Sequence, residues 1–267
     1  MDQRLSLNRR NWNQRTPVHA GSRSYDLDGF RAGRQSLRPI ELEAVGDAAG
    51  RSLLHLQCHF GLDTISWARL GVRATGVDFS DRAIALAREL NAEAGTNARF
   101  ICSDVYSLPA VLKQQFDWVF TSYGVLAWLP DLARWAQVVH RHLVPGGSFL
   151  IVDFHPLLST YEPAPQGHEV ANSYFHHELA VPGNQPTYAG GGRIESPCFE
   201  WQHSLGDVVS ALCDTGLVIE SLTEFPFCYY RALPHMVRGA DGWWRFPENN
   251  DSIPQMFSIK ARKPKTR

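Results

Sequence analysis

Three features suited to a bound nucleoside follow successive apolar segments of the 267-residue chain. The turn QCHFG at 57–61 follows the first segment and ends on Gly61. Asp78 ends the second segment, at about the spacing where an acid accepts hydrogen bonds from ribose hydroxyls. Asp104 ends the third, where a carboxylate can accept from an adenine amino group. Acids at strand ends also serve as turn formers or helix caps, but the ordered set favours nucleoside binding.

Strand and helix patterns alternate from residue 51 onward and place these features along one edge of a sheet. Ser80 fits the N-cap of the second helix, and Gly95 fits its end. The alternation predicts right-handed βαβ units in a parallel sheet with helices on both faces, and ligands at the carboxyl ends of the strands. The predicted strands are 52–57, 73–80, 98–105, 116–124, 145–156, 218–227 and 254–263, and the predicted helices are 63–71, 81–95, 131–143 and 203–217.

Composition indicates a packed soluble protein, with 44% hydrophobic residues, 20% charged residues and a net charge of −1. The polar N-terminus lacks the apolar core of a signal peptide, and no stretch approaches the roughly 18 apolar residues of a membrane span. No basic stripe is present, so we expect neither a nucleic-acid nor a membrane partner. Five scattered cysteines favour reduced thiols and a cytoplasmic location. We expect a monomer or a homodimer.

The chain is predicted to form one domain, 1–267, in four parts. An N-terminal cap segment covers 1–45, a cofactor-binding half covers 46–156, and a C-terminal helix with closing strands covers 203–267. Between them, 157–202 is rich in Pro, Gly, Tyr and His and loses the regular pattern. We predict that this insertion is a long irregular loop over the strand ends, because loops of this length are usually functional.

The ordered motifs resemble those of the class I S-adenosylmethionine-dependent methyltransferases, closely over 50–156 and more loosely over 203–262. LLHLQCHFG falls on that family's first motif, written as an apolar pair, Asp, apolar, Gly-Cys-Gly-x-Gly. VDFS falls on the ribose-binding acid, CSDVYSLP on the adenine-side acid, and FDWVFTSYGVLAWLPD on the fourth strand and its loop. The resemblance implies an α/β fold: a doubly wound, mostly parallel, seven-stranded Rossmann-like sheet whose last strand is antiparallel.

The resemblance also implies S-adenosylmethionine as cofactor and S-adenosylhomocysteine as product. The cofactor would lie along the first turn and the ends of the second to fourth strands, under an aromatic N-terminal segment, 11–26. The residues expected to bind it are Gln57, Cys58, His59, Gly61, Asp78, Phe79, Asp104, Val105, Ser122, Tyr25 and Trp12.

The first motif departs from the family pattern at three positions. His55 replaces the usual Asp, and we predict a core histidine satisfied by backbone. Gln57 and His59 replace glycines, which let the backbone approach a cofactor. We predict that Gln57 keeps an extended conformation with its side chain turned aside, and that His59 lies over the cofactor or donates to its carboxylate end. The i, i+4 histidines sit on a strand and a turn rather than a helix, so no metal site is expected.

Methyl transfer is a displacement on activated carbon, and a hydroxyl or ammonium acceptor also needs a base. The segments after strands four and five supply Tyr123, Trp128, Asp153 and His155. Tyr123 and His155 are the catalytic candidates there, with His155 the preferred base because imidazole titrates near neutral pH. His203 is a third candidate. Structural roles are the alternatives, a turn residue for His155 and a helix start for His203, and many methyltransferases use no base.

The aromatic segments 11–26 and 225–247 could wall a planar or apolar acceptor site, although Trp243 and Trp244 could equally pack onto the core. The sequence therefore predicts methyl transfer to a small molecule. The alternative is a ligand-binding or cyclase-like relative that has lost methyl transfer. A nicotinamide oxidoreductase is disfavoured because no G-x-G-x-x-G turn is present.

Overall fold

A seven-stranded sheet organises the computed structural model, which describes residues 2–164, 167–247 and 252–265. The strand order is β6-β7-β5-β4-β1-β2-β3. Neighbouring strands from β3 to β5 run parallel, whereas β7 is antiparallel to both β5 and β6. The predicted sheet is confirmed. Its strands are β1 Ser52–Leu56, β2 Arg73–Asp78, β3 Arg99–Cys102, β4 Phe116–Ser122, β5 Leu143–Phe154, β6 Val218–Phe225 and β7 Met256–Arg262.

Eight α-helices are present among the described residues, and their starts follow from local sequence. Ser80 caps the fifth helix, its Oγ accepting from Ala83 N at 3.1 Å. Ser204 and Asp207 form a reciprocal capping box at the eighth. The helices are α1 Gln3–Ala20, α2 Leu27–Arg31, α3 Pro39–Val45, α4 Leu62–Arg69, α5 Asp81–Glu93, α6 Leu108–Val111, α7 Leu132–His142 and α8 Leu205–Asp214.

The sheet divides the core into two apolar layers. Alternation along β1 sends Leu53 to one layer and Leu54 to the other, and every residue of this strand is buried. The first layer includes α4 and α5, and the second includes α7 and α8. Burial on both faces holds the strand register, so the carboxyl ends of β1 to β4 form a fixed edge.

The insertion is more regular than predicted. The expectation of an irregular loop is wrong, because the described part of 157–202 forms three antiparallel two-stranded ribbons. Their strands are two to five residues long and contain few buried residues, so they leave no periodic apolar signal in the sequence. The pairs are Tyr161–Ala164 with Gly167–Val170, His177–Val181 with Cys198–Gln202, and Gln185–Pro186 with Arg193–Ile194.

The C-terminal aromatic segment contributes one further ribbon, in which Val237–Arg238 pairs with Trp244–Arg245. In the described parts of the chain, no helix combines the length and the apolar character needed to cross a membrane.

Candidate functional site

A cavity of about 230 Å³ opens at the carboxyl ends of β1 to β4. Residues from α1, the insertion and the C-terminal aromatic segment complete its walls. The structure brings Tyr123 and all the predicted cofactor-binding residues to this cavity, namely Gln57, Cys58, His59, Gly61, Asp78, Phe79, Asp104, Val105, Ser122, Tyr25 and Trp12.

The turn after β1 adopts glycine-like backbone conformations at residues that are not glycine. Gln57 has φ 56°, His59 has φ 50° and Gly61 has φ 78°. The predicted extended conformation of Gln57 is therefore wrong, because the tight turn requires the left-handed region whatever the side chain. The Gln57 amide nitrogen donates to the Val125 carbonyl at 3.0 Å and links this turn to the loop after β4.

Gly61 is the one position of this turn with no room for a side chain. A Cβ there would lie 2.5 Å from Cε1 of the Phe100 ring. The residue also sits at the N-cap of α4 with positive φ. Glycine is thus required at this position on two independent grounds.

Asp78 holds the turn and faces the cavity at the same time. Its Oδ2 accepts from His59 N at 2.8 Å, and its Oδ1 accepts from Ser80 N at 2.8 Å. Burial raises the pKa of this carboxyl to about 6, although the backbone donors oppose the shift. A carboxylate has about four lone-pair sites, so those not used by the backbone can accept from two adjacent hydroxyls.

Asp104 lies beyond the end of β3, also at the cavity wall. Its Oδ1 accepts from Ser107 N at 2.9 Å, so it acts as a turn former as well as a lining residue. The turn-forming role is therefore present in the structure, and binding of an adenine amino group stays a prediction.

His55 is a buried, neutral core histidine. Its Nδ1 lies 2.9 Å from the Thr64 hydroxyl on α4. Burial lowers the pKa of its imidazole to about 4. The predicted burial is right, but the partner is a threonine hydroxyl rather than the expected backbone group, and the residue also lines the cavity.

His59 joins the turn to the cover over the cavity. Its Nε2 lies 3.1 Å from Nδ1 of His19 on α1, whose Nε2 in turn lies 2.6 Å from the Thr187 hydroxyl of the insertion. Burial lowers the pKa of His59 well below its usual range, so the ring is neutral. Its edge meets the Trp12 ring, with centroids 5.1 Å apart. Helix, turn and insertion are therefore connected through two imidazoles.

A row of amide side chains along α1 docks the insertion. Asn8 pairs reciprocally with the backbone of Phe199, donating to its carbonyl and accepting from its N–H, both at 2.8 Å. Asn11 donates to the Ser196 carbonyl at 2.7 Å, and Gln14 accepts from Ser196 N at 2.9 Å. We refer to α1 together with 157–202 as the cover. The segment 1–45, predicted as a cap, begins with a long helix that no apolar periodicity in the sequence indicates.

The loop after β4 is held by a buried acid. Asp153 on β5 accepts from the backbone N–H groups of Gly124, Val125 and Leu126, the last two at 3.2 Å. Tyr123, at the start of this loop, has φ 49° and lines the cavity. Asp153 therefore positions the segment that presents Tyr123.

The two predicted catalytic histidines lie outside the set of described residues that line the cavity. Nε2 of His155 is 2.8 Å from Oε1 of Glu224, and its Nδ1 accepts from Leu157 N at 3.1 Å. Nε2 of His203 is 2.7 Å from the Leu129 carbonyl. Burial lowers the pKa of both imidazoles. Their contacts fit the structural alternatives, a turn residue and a helix start.

Several cavity residues were not found by sequence reasoning. Asp63 was detectable as an acid in the first turn of a helix after the glycine turn. Tyr229 and Tyr230 lie in the aromatic segment 225–247, whereas Trp243 and Trp244 of the same segment pack onto the core. No local pattern marks four other lining residues, Arg34, Ser36, Arg38 and Tyr188.

Comparison with known proteins shows that the part of the chain forming the edge of the sheet is similar to methyltransferases. Residues 53–147 match the model of a family described as methyltransferase domain. A ubiquinone biosynthesis O-methyltransferase of Xanthomonas euvesicatoria is 30% identical over 133 residues, which are 49% of this chain and 55% of that protein. An uncharacterised methyltransferase of Synechocystis is 32% identical over 124 residues, 46% of this chain and 56% of that protein. The chain spans about half the length of the curated relatives it matches.

Solved structures share the fold over most of the chain. An S-adenosylmethionine-dependent methyltransferase of Mesorhizobium loti has a TM-score of 0.60 at 22% identity, covering 87% of this chain and 99% of that one. A glycopeptide N-methyltransferase complexed with S-adenosylmethionine has a TM-score of 0.54 at 16% identity, covering 84% and 92%. At these identities the likeness shows the fold, a Rossmann-like methyltransferase sheet.

Proposed function

From the match of residues 53–147 to the methyltransferase domain family, we propose that the chain transfers a methyl group from S-adenosylmethionine to a small-molecule acceptor and releases S-adenosylhomocysteine. The observation that carries the proposal is the convergence of the turn 57–61, Asp78 and Asp104 on one cavity. These features lie far apart in the sequence and meet only at the edge of the sheet.

The residues present fit this cofactor. Asp78 has lone pairs left for two ribose hydroxyls after holding the turn, and Asp104 can accept from an adenine amino group. The left-handed backbone at Gln57 and His59 preserves the shape that glycines would give the turn. When bound, the cofactor supplies a methyl carbon that its sulfonium has already activated for displacement.

The protein must then orient the acceptor and exclude water. The cover closes one side of the cavity, and Tyr123, Tyr229 and Tyr230 form an aromatic wall. Aromatic walls suit a planar or apolar acceptor. Because the Xanthomonas relative is an O-methyltransferase, we propose a hydroxyl as the accepting group. His155 and His203 are not part of the proposed site.

The proposal keeps a small molecule, rather than nucleic acid, as partner, on the net charge of −1 and the enclosed cavity. It also keeps the cytoplasmic location, which the odd number of scattered cysteines supports.

The test is isothermal calorimetry with S-adenosylhomocysteine. We expect one site per chain with micromolar affinity, and absence of heat at millimolar ligand would contradict the proposal. A second assay separates an enzyme from a ligand binder that has lost methyl transfer. S-adenosylmethionine labelled at its methyl group is incubated with simple phenols, and an enzyme forms S-adenosylhomocysteine together with a labelled phenol ether.

A further inference from the structure

A carboxyl group with no well-aligned hydrogen bond among the described residues lies behind the aromatic wall of the cavity. Glu41, on α3, is 0% exposed. Neither of its carboxyl oxygens has a well-aligned hydrogen bond among the described residues. Helix α3 packs against β5 and holds this side chain inside the protein. Burying a carboxyl group without a well-aligned partner is unfavourable for folding, so its retention calls for a role.

The neighbour of this carboxyl on the cavity side is Tyr123. Its hydroxyl is also buried and has no well-aligned partner among the described residues. The phenol and the carboxyl are close enough for each to affect the pKa of the other. Two further charged groups face Glu41: Asp63 from α4 and Arg38 from the start of its own helix. Tyr123 therefore stands between Glu41 and the space where an acceptor would bind.

We propose that Tyr123 and Glu41 form a proton relay that removes the hydroxyl proton of the acceptor during methyl transfer. The proposal rests on the methyltransferase function proposed above. Tyr123 is the catalytic residue, because it contacts the acceptor, and Glu41 acts through it as the final proton acceptor. The fixed loop supports this arrangement, since Asp153 anchors the backbone next to Tyr123 and leaves its hydroxyl a restricted position.

The relay balances atoms and charge. The acceptor proton moves to the Tyr123 oxygen as the Tyr123 proton moves to the Glu41 carboxylate. An electron pair of the acceptor oxygen forms the bond to the methyl carbon, and the pair of the broken carbon–sulfur bond stays on sulfur. One positive sulfonium and one negative carboxylate thus become a neutral thioether and a neutral carboxyl group. The sulfur and the Glu41 carboxyl are therefore both neutral after transfer.

The acid strength of the two groups suits this role. Burial, and next the charge of Asp63, raise the pKa of Glu41 to about 8, whereas Arg38 opposes the shift. A carboxylate with such a pKa is a stronger base than an ordinary one and matches neutral working pH. Burial raises the pKa of Tyr123 well above its usual value, so the phenol passes a proton on rather than ionising.

Thermal unfolding tests the protonation of Glu41 without substrate. Because folding raises its pKa from 4.5 to about 8, the folded protein retains a proton that the unfolded chain has released. Wild-type stability should therefore fall as pH rises through this window. Residue 41 does not titrate in Glu41→Gln. The Tm of this variant should therefore increase relative to that of the wild type as pH rises to about 8. Glu43→Gln, an exposed change on the same helix, is the matched control. Parallel curves for wild type and Glu41→Gln would overturn the relay.

Infrared spectroscopy tests the coupling of the two residues. We expect a protonated-carboxyl band that disappears as pH rises through about 8 and is absent in Glu41→Gln. In Tyr123→Phe the band should persist to higher pH, because the phenol lowers the pKa of Glu41. A band that titrates identically with and without the phenol hydroxyl contradicts the relay.

Methyl transfer to simple phenols tests the relay in turnover. Glu41→Gln and Tyr123→Phe should each lower kcat at least tenfold, with S-adenosylhomocysteine affinity within about twofold of wild type. The double variant should have a kcat only slightly lower than that of either single variant. The rise of kcat with pH through about 8 should vanish in Glu41→Gln.

Three outcomes overturn the relay. The rise of kcat with pH survives in Glu41→Gln, or it disappears in Asp63→Asn and not in Glu41→Gln. The third outcome is a wild type that binds S-adenosylhomocysteine tightly but methylates no phenol. Failure of the wild type to bind S-adenosylhomocysteine contradicts the methyltransferase function itself, and so is distinguishable.

Discussion

The edge of the sheet and the cover over it are held in place by different kinds of contact. Along the edge, each functional residue lies at or just beyond the end of a strand and is held by nearby backbone, as Asp78 is by the N–H groups of His59 and Ser80. The cover depends on pairs far apart in sequence, such as Asn8 with Phe199, 191 positions away. The edge is therefore set by local order within the sheet, and the cover by side chains that meet only after folding.

His59 belongs to both regions, which explains how a non-glycine residue is held in the left-handed conformation at this position. Its backbone N–H donates to Asp78 as part of the edge, while its ring contacts His19 and Trp12 of the cover. The strain of a left-handed non-glycine residue is about 1–2 kcal/mol. The buried ring contacts offset it. The substituted turn thus keeps its shape and gains a connection to the cover.

The largest effect is expected on the edge, for Gly61→Ala. The new Cβ would meet the Phe100 ring at 2.5 Å and retain positive φ, so we expect a loss of about 2–5 kcal/mol in the free energy of unfolding. Gly50→Ala is the control, since Gly50 also has positive φ but nothing lies within 4 Å of its Cβ position. Urea unfolding should show about 1–2 kcal/mol for the control. Equal losses of unfolding free energy in the two variants would mean that the edge rearranges to accept a Cβ at position 61.

Asp78→Ala should remove the principal hydroxyl-binding group of the edge. We expect the affinity for S-adenosylhomocysteine to fall at least tenfold, since hydrogen bonds from hydroxyls to a buried carboxylate are worth roughly 1.5–3 kcal/mol. Calorimetry on folded protein measures the change, and Asp214→Ala, an exposed change at the end of α8, serves as control. Unchanged affinity would indicate that the nucleoside does not bind to Asp78 at the edge of the sheet.

In the cover, Asn8→Ala leaves the Phe199 N–H and carbonyl without their partner. We expect a loss of about 1–3 kcal/mol in unfolding free energy and a severalfold faster dissociation of S-adenosylhomocysteine, measured by stopped flow. Its affinity should change less than in Asp78→Ala, because the cover closes the cavity without supplying the hydroxyl contacts. Arg10→Ala, exposed on the same helix, should have no effect. A larger loss of affinity in Asn8→Ala than in Asp78→Ala would indicate that the cover contributes more to cofactor binding than the edge of the sheet.

The smallest effect is expected at His59, the residue shared by both regions. Two variants there separate backbone strain from the contacts of the ring. His59→Ala and His59→Gly both lose the imidazole, but only alanine keeps a Cβ at φ 50°. The glycine variant should therefore be more stable than the alanine variant by about 1 kcal/mol, measured by urea unfolding. Identical stabilities would indicate that the turn relaxes when the ring is removed.

Sequence reasoning predicted the sheet, its antiparallel last strand, four of the eight described helices and the cavity-lining positions of the edge. It succeeded there because buried strands and amphipathic helices carry periodic apolar patterns, and because residues at strand ends follow from those patterns. Helix α1 was missed since its face toward the protein is polar: Asn8 and Asn11 are buried among backbone groups, so no apolar stripe marks them.

By itself, the sequence determined which residues stand at the strand ends, since alternation along each strand and the order of the parallel strands leave little choice. Tertiary structure alone decided the left-handed conformation of Gln57, the exclusion of His155 from the cavity and the burial of Glu41 behind Tyr123. These features depend on which distant surfaces meet when α3, the cover and β5 close on the sheet. No local propensity encodes that meeting, because each contact joins segments whose own patterns would allow other partners.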